Sequence, residues 1–127
     1  MNEYIAYEGD KFTIEWFFDK SGESEALKYF ESLSNTQKRK TLMLFKRMGD
    51  NGKIYDKDKF RNEGEKIYAF KPQPDRFLSF FYTGHKIIVT NGYRKKSQKL
   101  PKQEKIRALD IKNNYFYRVE QEDYYEE

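Results

Sequence analysis

The densest run of reactive side chains in the chain is Arg94-Lys95-Lys96, three consecutive cations in a Gly-Tyr-Arg-Lys-Lys stretch. Cations packed this closely bind backbone phosphates, each contact adding affinity that weakens with salt. A second basic group, Lys57, Lys59 and Arg61, lies in a long polar stretch and can supply further phosphate contacts. The competing reading of both groups is a solvated charged surface. His85 is the only histidine. A reference pKa of about 6.5 makes it a candidate for proton transfer, although its Thr83-Gly84-His85 setting reads as a turn, where a histidine is more often incidental.

Other chemistries are excluded by what is missing. There are no cysteines, so there is neither a disulfide framework nor a thiolate metal site. One histidine cannot build a histidine-rich metal site, which leaves only carboxylate-bound magnesium open. No Ser/His/Asp arrangement, no credible carboxylate pair and no glycine-rich phosphate loop occur. Gly49-Asp50-Asn51-Gly52 reads as a turn.

The net charge of +4 conceals strong segregation. Residues 1–35 carry 3 basic and 8 acidic side chains, residues 36–119 carry 22 and 8, and residues 120–127 carry none and 5. A basic body between acidic ends suits a polyanionic partner. With 37% hydrophobic and 36% charged residues the composition approaches that of disordered chains. The 11 Tyr, 11 Phe and single Trp argue for a packed core instead, because aromatic side chains bury large areas. No segment approaches the roughly 18 consecutive apolar residues of a membrane helix, and Met1 to Asp10 does not resemble a secretory signal. The expectation is one cytoplasmic domain over 1–127, with its core at about 10–117.

The elements that must position these residues follow from periodicity. Phe12, Ile14 and Trp16 alternate with polar residues, the pattern of a half-buried strand over 11–18. Ala26, Leu27, Phe30 and Leu33, then Leu42, Phe45 and Met48, form helical stripes. Ser34 and Gln37 offer a capping box, and Gly49 and Gly52 a stop. A helical hairpin over roughly 22–49 results, its stripes facing a sheet. Residues 50–65 read as a polar, basic loop. Strands follow at 66–71, 76–82 and 86–91, separated by Pro72-Gln73-Pro74-Asp75 and by the turn at His85. Pro101 opens a last helix. The acidic tail, 118–127, is expected to be poorly ordered and able to fold over the basic face in cis. The sum is an α+β fold: helices on one side of a small, mainly antiparallel, four-stranded sheet.

The stretch from Gly92 to Ala108 carries a glycine, an aromatic residue, Lys95-Lys96, a short polar run, Pro101, and then Glu104 and Ala108 on a helix. It resembles the C-terminal signature of phage-related RelE/HigB toxins, members of the RelE/ParE superfamily found in toxin–antitoxin systems. The strand led by Arg76 is similar to that family's arginine strand. The resemblance spans roughly 10–117 and implies a RelE-like fold with an N-terminal helical hairpin and a C-terminal helix. It departs at Lys71, where the family often has arginine, and at Tyr93, where it has phenylalanine.

What the resemblance implies is a toxin that acts as a ribosome-dependent mRNA endoribonuclease, uses no metal or cofactor, and is held inactive by a small antitoxin protein. In that chemistry the 2′-hydroxyl attacks the adjacent phosphate. Arg76 is expected to clamp the phosphate through bidentate hydrogen bonds. Lys71 neutralises charge or, with a depressed pKa, exchanges a proton. Tyr93 stacks on a base or donates a proton. The alternatives are a gyrase inhibitor of the ParE type and a non-catalytic nucleic-acid- or protein-binding module, because one fold hosts several functions.

Overall fold

The computed structural model describes residues 3–125. Strand β1 (Ile5–Glu8) and strand β2 (Thr13–Trp16) precede two helices, α1 (Glu25–Glu31) and α2 (Asn35–Asn51). Strands β3 (Phe60–Asn62), β4 (Tyr68–Phe70), β5 (Asp75–Tyr82) and β6 (Lys86–Arg94) follow, and helix α3 (Lys102–Glu120) comes last.

The six strands form one mixed sheet in the order β1-β2-β6-β5-β4-β3. The expected four-stranded, mainly antiparallel sheet is therefore too small. Residues 5–8 and 60–62 add a strand at each edge, the second inside the stretch read as an unstructured loop. Both are too short for a two-residue period to show, and they become strands by pairing with β2 and β4. The β2–β6 pairing is parallel, the rest antiparallel.

Helices cover both faces rather than one. On the first face, α1 and α2 pack Ala26, Leu44, Phe45 and Met48 against Ile14, Trp16, Phe70, Phe77, Ile87 and Val89. On the second, α3 packs Ala108, Ile111 and Tyr115 against Ile67, Ala69, Leu78, Phe80 and Ile88. Because β5 and β6 are sandwiched, they read as continuous apolar runs.

Local chemistry sets the helix ends. Ser24 and Ser34 cap α1 and α2, each accepting a hydrogen bond at 3.2 Å from the backbone N–H three residues on. Gln37 does not complete a capping box; its side-chain amide donates instead to the Asp75 carboxylate at 2.6 Å and the Pro72 carbonyl at 3.1 Å. Helix α2 runs through Gly49 and stops at Gly52, in the left-handed region at φ 81°. Pro101 stands at the cap of α3, one position before the helix.

One bulge decides which face carries Tyr93. Leu78 pairs with Asn91 but Ser79 pairs with Val89, which leaves Thr90 as the extra residue of β6. Ile87 and Val89 face α1 and α2. Beyond the bulge the alternation is inverted, and Asn91 and Tyr93 face α3. The Asn91 amide donates to the Glu104 carboxylate at 3.0 Å and pins the bulge to the first turn of α3.

Gly92 sits where β6 crosses the α1 face. A Cβ there would lie 2.7 Å from the Tyr29 ring and 2.9 Å from the Phe77 ring. We expect Gly92→Ala to lower stability by about 1–3 kcal/mol through overpacking, read as a reduced midpoint in urea with an unchanged slope. An unchanged midpoint would show that the two rings yield.

The tail is packed through Tyr125, contrary to expectation. Tyr124 is 4% exposed and stacks on Phe17. Its hydroxyl accepts from the Phe18 backbone N–H at 3.0 Å, and its carbonyl accepts from the Tyr4 hydroxyl at 2.9 Å. The Tyr125 hydroxyl donates to the buried Glu15 carboxylate at 2.8 Å. These contacts hold the tail beside β1 and β2, away from the Arg76 end of the sheet.

Candidate active site

Three neighbouring strands deliver three side chains to one end of the sheet. Arg76, second residue of β5, is the register partner of Tyr93, near the end of β6. Phe70, the last residue of β4, pairs with Phe77, so Lys71 follows at the same end. The backbone of Lys71 is fixed by its N–H to the Lys59 carbonyl at 2.8 Å, and that of Lys95 by its N–H to the Pro74 carbonyl at 2.9 Å.

Asp75 anchors this end from the opposite face. Only 1% exposed, its carboxylate accepts hydrogen bonds from the Tyr29 hydroxyl and the Gln37 amide. The start of β5 is thereby tied to both α1 and α2, and Arg76 is turned toward the α3 side.

Lys71, Arg76 and Tyr93 line a polar cleft of about 150 Å³, together with Lys57, Arg61, Lys95 and Lys99. Two carboxylates, Asp58 and Glu63, and the neutral side chains of Gln73, Ser97 and Gln98 complete its polar walls.

Arg76 is 6% exposed, yet its guanidinium meets only neutral acceptors: the Gln73 side-chain oxygen at 3.1 Å and the Asp75 carbonyl at 3.0 Å, both through Nη1. Among the described residues no carboxylate lies within ion-pair distance of it. Burial draws its pKa below the ordinary value, while the charges of Glu63 and Asp75 oppose that shift. A guanidinium remains a cation even so. A buried cation whose remaining donors are unoccupied by protein is matched to an incoming anion.

Lys71 donates to the Lys57 carbonyl at 3.3 Å. Burial lowers its pKa; Glu63 raises it, and Arg76 and Arg61 lower it further. Tyr93 is half-buried, and loss of solvent pushes its phenol up to about 12, with Arg76 pulling the other way. It is therefore a neutral hydroxyl, able to donate, throughout the physiological range.

Not every residue singled out in the sequence reaches the cleft. Lys59 lines a separate groove with Lys40, Met43 and Arg47 of α2. Arg94 is exposed on the alternate register position, where its charge acts on Tyr29. Lys96 is exposed and outside the cleft. His85 stands in the β5–β6 turn beside Phe12, at φ 64°. Seven residues of β6 separate it from Tyr93, roughly 25 Å along a strand, so it exchanges no proton with a group held at Arg76.

Glu63, Gln73 and Lys99 belong to the cleft without having been singled out. Glu63 is the telling one, because its charge acts on Lys71, Arg76 and Tyr93 alike. The sequence carried no signal for it, because the strand that delivers it, β3, is three residues long and ends at Asn62.

The motif residues divide into two sets. Gly92, Glu104 and Ala108 are structural: a close approach, a partner for Asn91, and a fully buried position on the sheet-facing side of α3. Tyr93 and Lys95 line the cleft.

No curated protein matches the chain. The family model described as phage-derived protein Gp49-like (DUF891) matches residues 28–113, from α1 through the first two-thirds of α3 and across every cleft residue named above. That match covers just over two-thirds of the sequence. The chain belongs to the phage-derived Gp49-like family, a family of toxin-like proteins of the RelE/HigB type.

Proposed function

We propose that the protein is a toxin-type endoribonuclease that cleaves mRNA on the ribosome at the Lys71–Arg76–Tyr93 cleft and is restrained by a small antitoxin. The observation that carries this reading is Arg76: a buried guanidinium with no carboxylate partner among the described residues, beside a second cation and a neutral phenol.

A cleft of about 150 Å³ is smaller than the roughly 300–1,000 Å³ that holds a whole small molecule, so it suits a phosphodiester. In the reaction, Glu63 accepts the 2′-hydroxyl proton and the 2′-oxygen forms a bond to phosphorus. Arg76 and Lys71 take up the charge that develops on the non-bridging oxygens. The bond to the 5′-oxygen breaks as the Tyr93 hydroxyl gives that oxygen a proton. The products are a 2′,3′-cyclic phosphate and a free 5′-hydroxyl. A carboxylate opposes binding of a phosphate chain, and its presence here is explained by the proton it accepts.

The test is induced expression in a bacterial host with mRNA 5′ ends mapped over time, wild type beside Glu63→Gln. Wild type is expected to stop growth and create new in-frame ends. Glu63→Gln is expected to lose about 10²–10⁴-fold in cleavage rate, while its RNA affinity holds or rises. If Glu63→Gln cleaves like wild type, the proton acceptor is another group. Growth arrest with DNA breaks and intact mRNA would instead mark a gyrase inhibitor.

A further inference from the structure

The phosphate cleft does not end at its own walls. A second, larger groove of about 590 Å³ opens from it, and Arg61, Glu63, Gln98, Lys99 and Leu100 line both. Its floor is aliphatic: Leu100, Leu109 and Ile106, the last 50% exposed. Its rim carries Lys99, Lys102 and Lys105. Lys105 is paired with Glu65 at 3.1 Å, whereas Lys99 and Lys102 have no carboxylate partner among the described residues.

We propose that this groove is a nucleotide subsite, which takes the base of a residue flanking the scissile phosphate on its Leu100–Ile106–Leu109 floor. The next backbone phosphate lies against Lys99 and Lys102. The inference rests on the ribonuclease reading and extends it from the reacting phosphate to the neighbouring unit of the chain.

Size, chemistry and continuity support it. A groove of about 590 Å³ falls inside the range that holds a ligand of nucleotide size, which the cleft at Arg76 does not. An apolar floor with cations along one edge repeats the pattern of a nucleotide, a flat apolar base joined to an anionic phosphate. The shared wall means that a strand with one phosphate at Arg76 enters the groove without leaving the surface. The floor is aliphatic rather than aromatic, so a base is held there by apolar contact rather than by ring stacking.

The test uses fluorescein-labelled, fully 2′-O-methylated RNA of two to six nucleotides, which binds but cannot be cleaved, followed by anisotropy at fixed salt. For wild type we expect a step of about tenfold in affinity at the length that first fills the groove. The step is expected to vanish in Ile106→Asp and to shrink in Lys102→Ala, while the shortest RNA binds all three proteins equally. Arg76→Ala should weaken every length by the same factor. Persistence of the step in both groove variants would overturn the subsite and leave the ribonuclease reading standing. Failure of wild type to bind RNA of any length, alone or on ribosomes, would remove the reading itself. Binding of hexaglutamate but not RNA would assign the groove to an acidic peptide and overturn the proposal.

Discussion

Arg76→Ala is expected to abolish both growth arrest and mRNA cleavage on induction, with a loss in rate of about 10³-fold or more. The magnitude follows from the setting. The guanidinium is nearly solvent-free, and a charge interaction in such a place is far stronger than at the surface. Arg76→Lys should recover little, because an ammonium cannot make the paired hydrogen bonds to two phosphoryl oxygens. The folded state should survive either change, since the arginine has no carboxylate partner to strand.

Lys71 offers a contrast in pH. Its pKa lies below the ordinary lysine value because it is partly buried, so the proton is lost earlier on the alkaline side than from a surface lysine. Only the protonated form attracts phosphate. The affinity difference between wild type and Lys71→Met should therefore be full at neutral pH and shrink as pH rises through that lowered value. Lys71→Arg should stay flat over the same range. A difference constant to pH 10.5 would show that Lys71 keeps its proton over that range, and no difference at any pH would show that it does not contact the phosphate.

The second large effect concerns the tail. Tyr124→Ala removes a buried ring, its stack on Phe17 and the acceptor for the Phe18 N–H. The expected cost is about 3–5 kcal/mol, roughly 10–20 °C in melting temperature for a domain of this size. Tyr124→Phe keeps the ring and should cost about 1–3 kcal/mol through the unsatisfied backbone donor. RNA affinity measured well below the melting point should be unchanged in both. A truncation after Glu120 that raised RNA affinity without lowering the melting temperature would restore the view that the acidic tail covers the basic face. The present contacts oppose that view, because Tyr124 and Tyr125 are seated at β1 and β2.

How much of this was legible in the sequence varied from element to element. The long apolar runs of β5 and β6 and the stripes of α1 and α2 were plain, since burial leaves a continuous run or a helical stripe in the sequence. Strands β1 and β3 were not, because neither shows the apolar–polar alternation seen around β2, and both form by pairing with a neighbour. The face of α3 was misplaced for a different reason: a continuous apolar strand does not say how many of its sides are covered. The bulge at Thr90 left no mark in composition, yet without it Tyr93 would lie on the α1 face.

The site was partly readable for similar reasons. Lys71, Arg76 and Tyr93 sit at corresponding ends of adjacent strands, and a meander brings such positions together. His85 attracted notice through its chemistry alone, although a turn at the far end of the same hairpin cannot approach the cleft. Glu63 escaped notice because it lies in a basic stretch where attention falls on the cations. The tail was read by its charge, and the two tyrosines that anchor it were hidden among the carboxylates.

The parallel pairing of β2 with β6 has a consequence for how the molecule comes into being. Residues 57–100, which supply every wall of the Arg76 cleft, are close neighbours along the chain and can find one another early. The other half of the sheet is assembled from distant parts. Thr13–Trp16 must wait for Lys86–Val89, and Tyr4 for Tyr124, 120 residues later. A growing chain would thus make its β4–β6 meander first, with Trp16, Phe17 and Phe18 still in search of cover. The aromatic seat that joins Tyr4 and Phe18 to Tyr124 closes only after the β4–β6 meander has been synthesised. Time between the first strand and its partner is then a period of exposed aromatic surface, the stage at which the nascent protein is most open to capture by chaperones or by its own neighbours.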